Sequence, residues 1–252
     1  MSLHSADDQI ISARLRRDGI WEAYETALTL ANLHAGDVYV DVGANIGYYT
    51  LLAACRVGAS GRVIAYEPDG GNFALLADNV AANRLGNVEL FQLALYDQDR
   101  DGLLYLSPDN FGDHRVYASP DARQSCSITL KHGGRHLGAL TQRIDFLKID
   151  TQGAEYFVLN GLQQLIAANS DHLRMIVELC PWGIRKAGAH GRDLLALLDA
   201  TGMQYFIIDH IGHGLIPATS QDLADWIDSL DNEPDNEGFI NLFVCPQAYA
   251  PA

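Results

Sequence analysis

The stretch FLKIDTQGAE, residues 146–155, sets Lys148 and Asp150 on one face of an extended segment, because side chains alternate along a strand. Its other positions, Phe146, Leu147 and Ile149, are apolar. Asp150 stands where this strand ends, and Glu178 ends a second apolar run, LRMIVEL. Carboxylates at strand ends can share a proton, hold hydroxyl groups, act as general bases or bind a cation. Oxygen ligands suit Mg²⁺; no Asp-Asp pair reinforces that reading, so Mg²⁺ is admitted but not favoured. His114, in NFGDHRVY, is a third candidate base, since an imidazole titrates near neutrality. Arg115 beside it suits a carboxylate or phosphate; alternatively Asp113 pairs with Arg115 and His114 faces water. His210 and His213, in DHIGHG, are spaced too loosely around glycines for a ligand pair and are expected to shape a turn.

A second group lies in DVGANIG, residues 41–47, at a strand-to-helix junction. In open α/β sheets ligands bind outside the carboxyl ends of the strands. Gly43 and Gly47 permit a tight turn and close backbone approach. The spacing is G-x-x-x-G, with Asn45 where a dinucleotide fingerprint has its middle glycine. Asp41 adds negative charge, which suits a sulfonium or ammonium better than a diphosphate. Glu67 follows twenty residues past Gly47 at the end of the next strand, where an acid can accept hydrogen bonds from both ribose hydroxyls.

The elements that must position these residues follow from periodicity. Residues from about Ile10 to Leu33 read as helical with a break near Asp18-Gly19. Strands are expected at DVYVDVG, RVIAYEP, NVELFQ, RIDFLKID, LRMIVEL, MQYFIID and FINLFVCP. Helices are expected at IGYYTLLAACRVG, GNFALLADNVAANRLG, QGAEYFVLNGLQQLIAAN, HGRDLLALLDATG and TSQDLADWIDSL. Strands separated by helices imply an α/β fold with a parallel, doubly wound sheet. Alternation breaks at about 96–143, with only short β-like pieces, GLLYL and SITL. The expected organisation is an N-terminal helical segment, 1–34, and a domain over 35–252 carrying that insertion.

The chain has 252 residues, 48% hydrophobic and 19% charged, enough for a substantial core. A net charge of −15 repels phosphate backbones and anionic lipid, so no nucleic-acid partner is expected. No apolar run approaches a membrane span, and the polar start does not resemble a signal peptide. The four cysteines are scattered without a CxxC, which argues for free thiols and a cytoplasmic location.

DVGANIGYYT, AYEPDGGNFALLADNVAAN and FLKIDTQGAE, in this order, resemble the FkbM family of S-adenosylmethionine-dependent methyltransferases over roughly residues 36–180. The resemblance implies a Rossmann-like class I methyltransferase fold: seven strands, mostly parallel, the last antiparallel, with helices on both faces. It implies S-adenosylmethionine as cofactor and O-methylation of a hydroxyl on a sugar or natural product. It assigns Asp41, Gly43, Ala44, Asn45 and Gly47 to the methionine moiety, with Tyr48 and Tyr49 walling the site or packing the helix on the sheet. It assigns Glu67, with Pro68 and Asn72, to the ribose, and Ala94 and Leu95 to the adenine. It makes the strands ending at Asp150 and Glu178 neighbours, so those acids are expected close together, Asp150 also bordering the cofactor. Two departures fall on the acceptor side. Gln152 replaces the glutamate of an Asp-x-Glu-Gly pattern, and Thr129-Leu130-Lys131 replaces Thr-Leu-Asp. They keep open a non-catalytic cofactor-binding scaffold; a nicotinamide-dependent oxidoreductase is disfavoured by the missing glycine. The N-terminal helices offer a lid or a homodimer contact.

Overall fold

The computed structural model describes every residue except 6, 119–122, 234 and 250–252. In chain order the elements are α1 (Ile11–Asp18), α2 (Ala23–Ala31), β1 (Val38–Val42), α3 (Tyr48–Val57), β2 (Arg62–Tyr66), α4 (Gly70–Ala82) and β3 (Val88–Phe91). Next come β4 (Ala94–Tyr96), β5 (Arg100–Leu106), β6 (Gln124–His132), α5 (Gly133–Leu140), β7 (Phe146–Ile149), α6 (Glu155–Asn169) and β8 (Arg174–Leu179). The chain closes with α7 (Pro181–Ala187), α8 (Gly191–Asp199), β9 (Gln204–Asp209), β10 (Gly214–Ala218), α9 (Ser220–Asp231) and β11 (Ile240–Cys245). Gly19, left-handed at φ 72°, ends α1 where the sequence predicts the break.

Two compact units divide the chain, one of Met1–Ala94 with Arg100–Leu130, the other of Leu95–Asp99 with Lys131–Ala252. In unit one, β1 pairs parallel with β2, and β2 with β3. VYVDV and RVIAY are β-branched and aromatic, and four of five residues in each are buried. Tyr66 stacks on Phe91 across β2 and β3 with ring centroids 5.3 Å apart. Ala44, Ala65, Leu76 and Val80 form a core cluster under α4. The insertion is more regular than the sequence suggests: its β-like pieces lie in β5 and β6, which pair antiparallel with Gly102 opposite Ile128.

In unit two, β7 pairs parallel with β8, and β11 runs antiparallel between β8 and β9. The antiparallel last strand is therefore present. The seven-strand expectation needs one correction, because β10 pairs antiparallel with β9 and makes an eighth strand. Pro217 hid it in the sequence; as an edge strand, β10 tolerates a residue without an N–H. Phe146, Leu147, Val177 and Phe243 are fully enclosed in this unit, and truncating either phenylalanine to alanine would cost about 3–5 kcal/mol.

Candidate active site

The glycine turn of unit one is built on three left-handed positions, Gly43 at φ 89°, Asn45 at 50° and Gly47 at 90°. The backbone N–H groups of Gly43 and Ala44 both donate to the Tyr66 carbonyl, at 3.0 and 2.9 Å, which ties the end of β1 to the end of β2. Gly47 needs glycine for its left-handed conformation; a Cβ there would also lie 2.5 Å from Cδ1 of Leu76, the tip of a side chain that would have to shift. Asp41 is buried, and its Oδ2 accepts from Thr50 Oγ1 at 2.5 Å, fastening α3 to β1.

Glu67 is 5% exposed and lies between the turn and α4. Its Oε2 accepts from the Asn45 N–H at 2.8 Å and its Oε1 from the Asp69 N–H at 2.9 Å. Burial disfavours the charged form and lifts the carboxyl to about 7, against these two amides, which favour the carboxylate. Asp69 caps α4 by accepting from the Asn72 N–H at 2.8 Å. The Asn72 side chain is a further donor to this carboxylate, which with about four lone-pair sites still retains acceptor capacity.

The loop between β5 and β6 reaches the same residues. The Phe111 carbonyl accepts from Asn45 Nδ2 and from Asn72 Nδ2, both at 3.0 Å. His4 Nε2 lies 2.6 Å from Asn72 Oδ1, with its ring edge-on to Phe111 at 4.7 Å. Asn79 donates to the Ser2 and Ile46 carbonyls at 3.0 and 2.9 Å. Phe111, His4, Asp69 and Asn79 were missed in the sequence. The Asp69-Gly70 helix start was the only local signal among them, since the others meet across long stretches of chain.

His114 Nδ1 accepts from the Ser107 N–H at 3.1 Å, which assigns the neutral ring a proton on Nε2. Burial pushes its pKa below the ordinary imidazole value, against the pull of Asp69 and Asp113. In this arrangement His114 presents a hydrogen-bond donor, and its basic nitrogen is already engaged. Arg115 Nε is 2.6 Å from Asp113 Oδ1, and Arg123 is 2.7 Å from Asp113 Oδ2, so both guanidinium groups are paired. Tyr49 donates to Glu22 Oε2 at 3.0 Å, and Tyr48 accepts from Thr26 Oγ1 at 3.3 Å; both tyrosines engage the α2 segment. Pro68 and Ala94 are half-buried, and Leu95 is buried in unit two.

Unit two holds Asp150 and Glu178. Lys148 Nζ donates to Asp150 Oδ2 at 3.0 Å, the partner that a lysine 5% exposed requires. Gln152 Nε2 donates to Asp150 Oδ1 at 2.8 Å and to Glu178 Oε2 at 3.2 Å, so one amide links the ends of β7 and β8. The loop is folded around Glu155, which accepts from the Thr151 N–H at 2.8 Å and the Gly153 N–H at 2.9 Å. Burial raises the Glu155 pKa while these amides oppose it. His210 Nε2 lies 3.3 Å from Asn241 Nδ2, and Asn241 is opposite Glu178 in register.

The methyltransferase FkbM domain model matches residues 41–205. Methyltransferase 1 of Beauveria bassiana (strain ARSEF 2860) is 27% identical, the match covering 56% of this chain and 64% of the relative. An FkbM methyltransferase structure from Methylobacillus flagellatus KT is 14% identical with a TM-score of 0.48, covering 83% of this chain and 43% of that one. The chain thus spans under two thirds of either relative's length. Aeropyrum pernix fibrillarin, solved with S-adenosyl-L-methionine bound, is 12% identical with a TM-score of 0.50, covering 89% of this chain and 76% of that one. The likeness to fibrillarin shows the fold, a class I methyltransferase-like α/β architecture with a mainly parallel sheet. Among the described residues, no helix is long and apolar enough to cross a membrane.

Proposed function

The chain belongs to the FkbM methyltransferase family, and from that premise we propose that it is an S-adenosylmethionine-dependent O-methyltransferase acting on a hydroxyl of a small molecule. One observation carries the cofactor reading. Glu67, buried at the end of β2, is fixed by amides from the glycine turn and from the start of α4, with acceptor capacity left for a ribose diol. The acids near the turn disfavour a dinucleotide's diphosphate and suit a sulfonium. Asn72 supports the ribose, and Gly43, Ala44, Asn45 and Gly47 shape the turn for the amino-acid moiety.

Bound there, the sulfonium would supply the methyl to the acceptor oxygen, whose lone pair would form the O–C bond while the S–C pair stayed on sulfur and the hydroxyl proton passed to a protein carboxylate. Holding the hydroxyl in line is the larger contribution, worth up to about 7–11 kcal/mol. Accepting its proton adds about 10²- to 10⁴-fold. Asp150 and Glu178 are the better candidates for that base, because the basic nitrogen of His114 is taken by the Ser107 amide. The acidity of the chain and the polar acid pair favour a small hydroxylated acceptor over nucleic acid. Isothermal titration with S-adenosylmethionine and with its demethylated product tests the reading. Micromolar binding of both is expected; no heat with either, in a folded sample, overturns it.

A further inference from the structure

Gln152 occupies a backbone conformation that its residue type rarely adopts, φ 54°, and is followed by Gly153 at 107°. An unfavourable backbone persists where the surroundings over-determine it, and such positions concentrate at functional sites. Here the conformation aims the side chain back at the strand ends, where one NH₂ group donates to carboxylates of two neighbouring strands. Lys148 covers the other oxygen of Asp150. Both oxygens of Asp150 and one of Glu178 therefore carry donors supplied by the protein. Each of these oxygens keeps a second lone pair, but a cation bridging the two carboxylates would be brought against the Lys148 ammonium and the Gln152 NH₂ that already face them.

We propose that Gln152, with Lys148, is the positioning device that holds Asp150 and Glu178 together as a cation-independent pair for the acceptor hydroxyl. This rests on the reading of those acids as the acceptor-side residues. The charged group facing Asp150 from its own strand is Lys148; beside Glu178, β11 contributes the neutral Asn241, which contacts His210. A glutamate in place of Gln152, as in the Asp-x-Glu-Gly pattern, could not donate to either acid. It would instead gather three carboxylates about one point, a charge set that calls for a divalent ion.

The test needs no acceptor. Mn²⁺ alone is titrated into the full chain at neutral pH, and the free ion is followed by its electron paramagnetic resonance signal. The wild type is expected to leave that signal unchanged at concentrations up to about millimolar, the weak end of protein sites for hard cations. Gln152→Glu is expected to take up one equivalent at least tenfold more tightly than the wild type, and Asp150→Asn in that background abolishes the uptake. Gln152→Asp serves the same purpose should Gln152→Glu not fold. Wild-type uptake that Asp150→Asn removes overturns the proposal, as does absence of uptake by a folded acidic variant. A separate titration with S-adenosylmethionine keeps the two readings apart: no heat there defeats the cofactor assignment, while the Mn²⁺ result still decides the role of Gln152.

Discussion

Both units bring carboxylates to the carboxyl ends of parallel strands, and they compensate them in different ways. Glu67 in unit one is held by backbone amides, which are dipoles, and burial lifts its pKa to about 7. Asp150 in unit two is held by an ammonium and a side-chain amide shared with Glu178. Glu67, held by dipoles alone, can accept from an incoming hydroxyl donor. An acid held by a full charge and a bridging donor is fixed in place, ready for work that needs geometry. In our reading the carboxyl group thus serves cofactor recognition in one unit and acceptor chemistry in the other.

The largest effect that can break this division is on cofactor affinity. Glu67→Ala should weaken S-adenosylmethionine binding about 100-fold, roughly 2.7 kcal/mol, whereas Glu178→Gln should leave the calorimetric Kd within about threefold. Equal losses from both would end the contrast. Next, Gly47→Ala forces a left-handed alanine against Leu76 and should cost about 1–3 kcal/mol of stability, a fall of several degrees in thermal unfolding.

Protons offer a sharper test. The folded chain raises Glu67 from 4.5 to about 7. The stability contributed by its neutral form is therefore fully present below about pH 4.5 and is lost as pH rises through about 7. Ribose hydroxyls donate best to the carboxylate, so S-adenosylmethionine should bind more tightly as pH climbs toward 7, by up to about tenfold per unit, and then level off. Calorimetry in two buffers of different ionisation enthalpy at pH 6 should detect a proton released on binding. A pH-independent Kd between 5.5 and 8 would place the ribose contact elsewhere. The smallest expected effect is that of His114→Ala, which should change cofactor affinity less than about threefold; a larger loss would enlist the β5–β6 loop in recognition.

What could be read in the sequence was whatever the chain encodes locally. β1, β2, β7 and β8 announce themselves as apolar runs ending in an acid, and α3, α4 and α6 as periodic segments bounded by glycine. That Lys148 and Asp150 share a face followed from strand alternation; that Asp150 is the carboxylate which pairs with the buried lysine is what the structure adds. β10 escaped because Pro217 and the preceding glycines look like a turn, and only pairing with β9 shows an edge strand. The role of Gln152 was legible only as a departure, since its reach to Glu178 spans 26 residues of chain. Phe111 and His4 were beyond reach for the same reason: nothing in their neighbourhoods marks them as companions of Asn45 and Asn72.

The Phe111 carbonyl has a consequence for how this protein acquires and loses structure. Its two asparagine donors are 66 and 39 residues away, and Asn72 and Asn79 draw in His4 and Ser2 across 68 and 77. Contacts of that range return free energy only after long loops have closed, so they form late, whereas β1, β2 and β3 assemble from neighbours in sequence. What forms late by such sparse bonds also opens at the lowest cost. The amides of Gln9 and Gly112, bonded within this wall, should exchange with solvent deuterium well before those of Gly43 and Ala44. The surroundings of Glu67 can then come apart and reclose while the strands beneath stay in register.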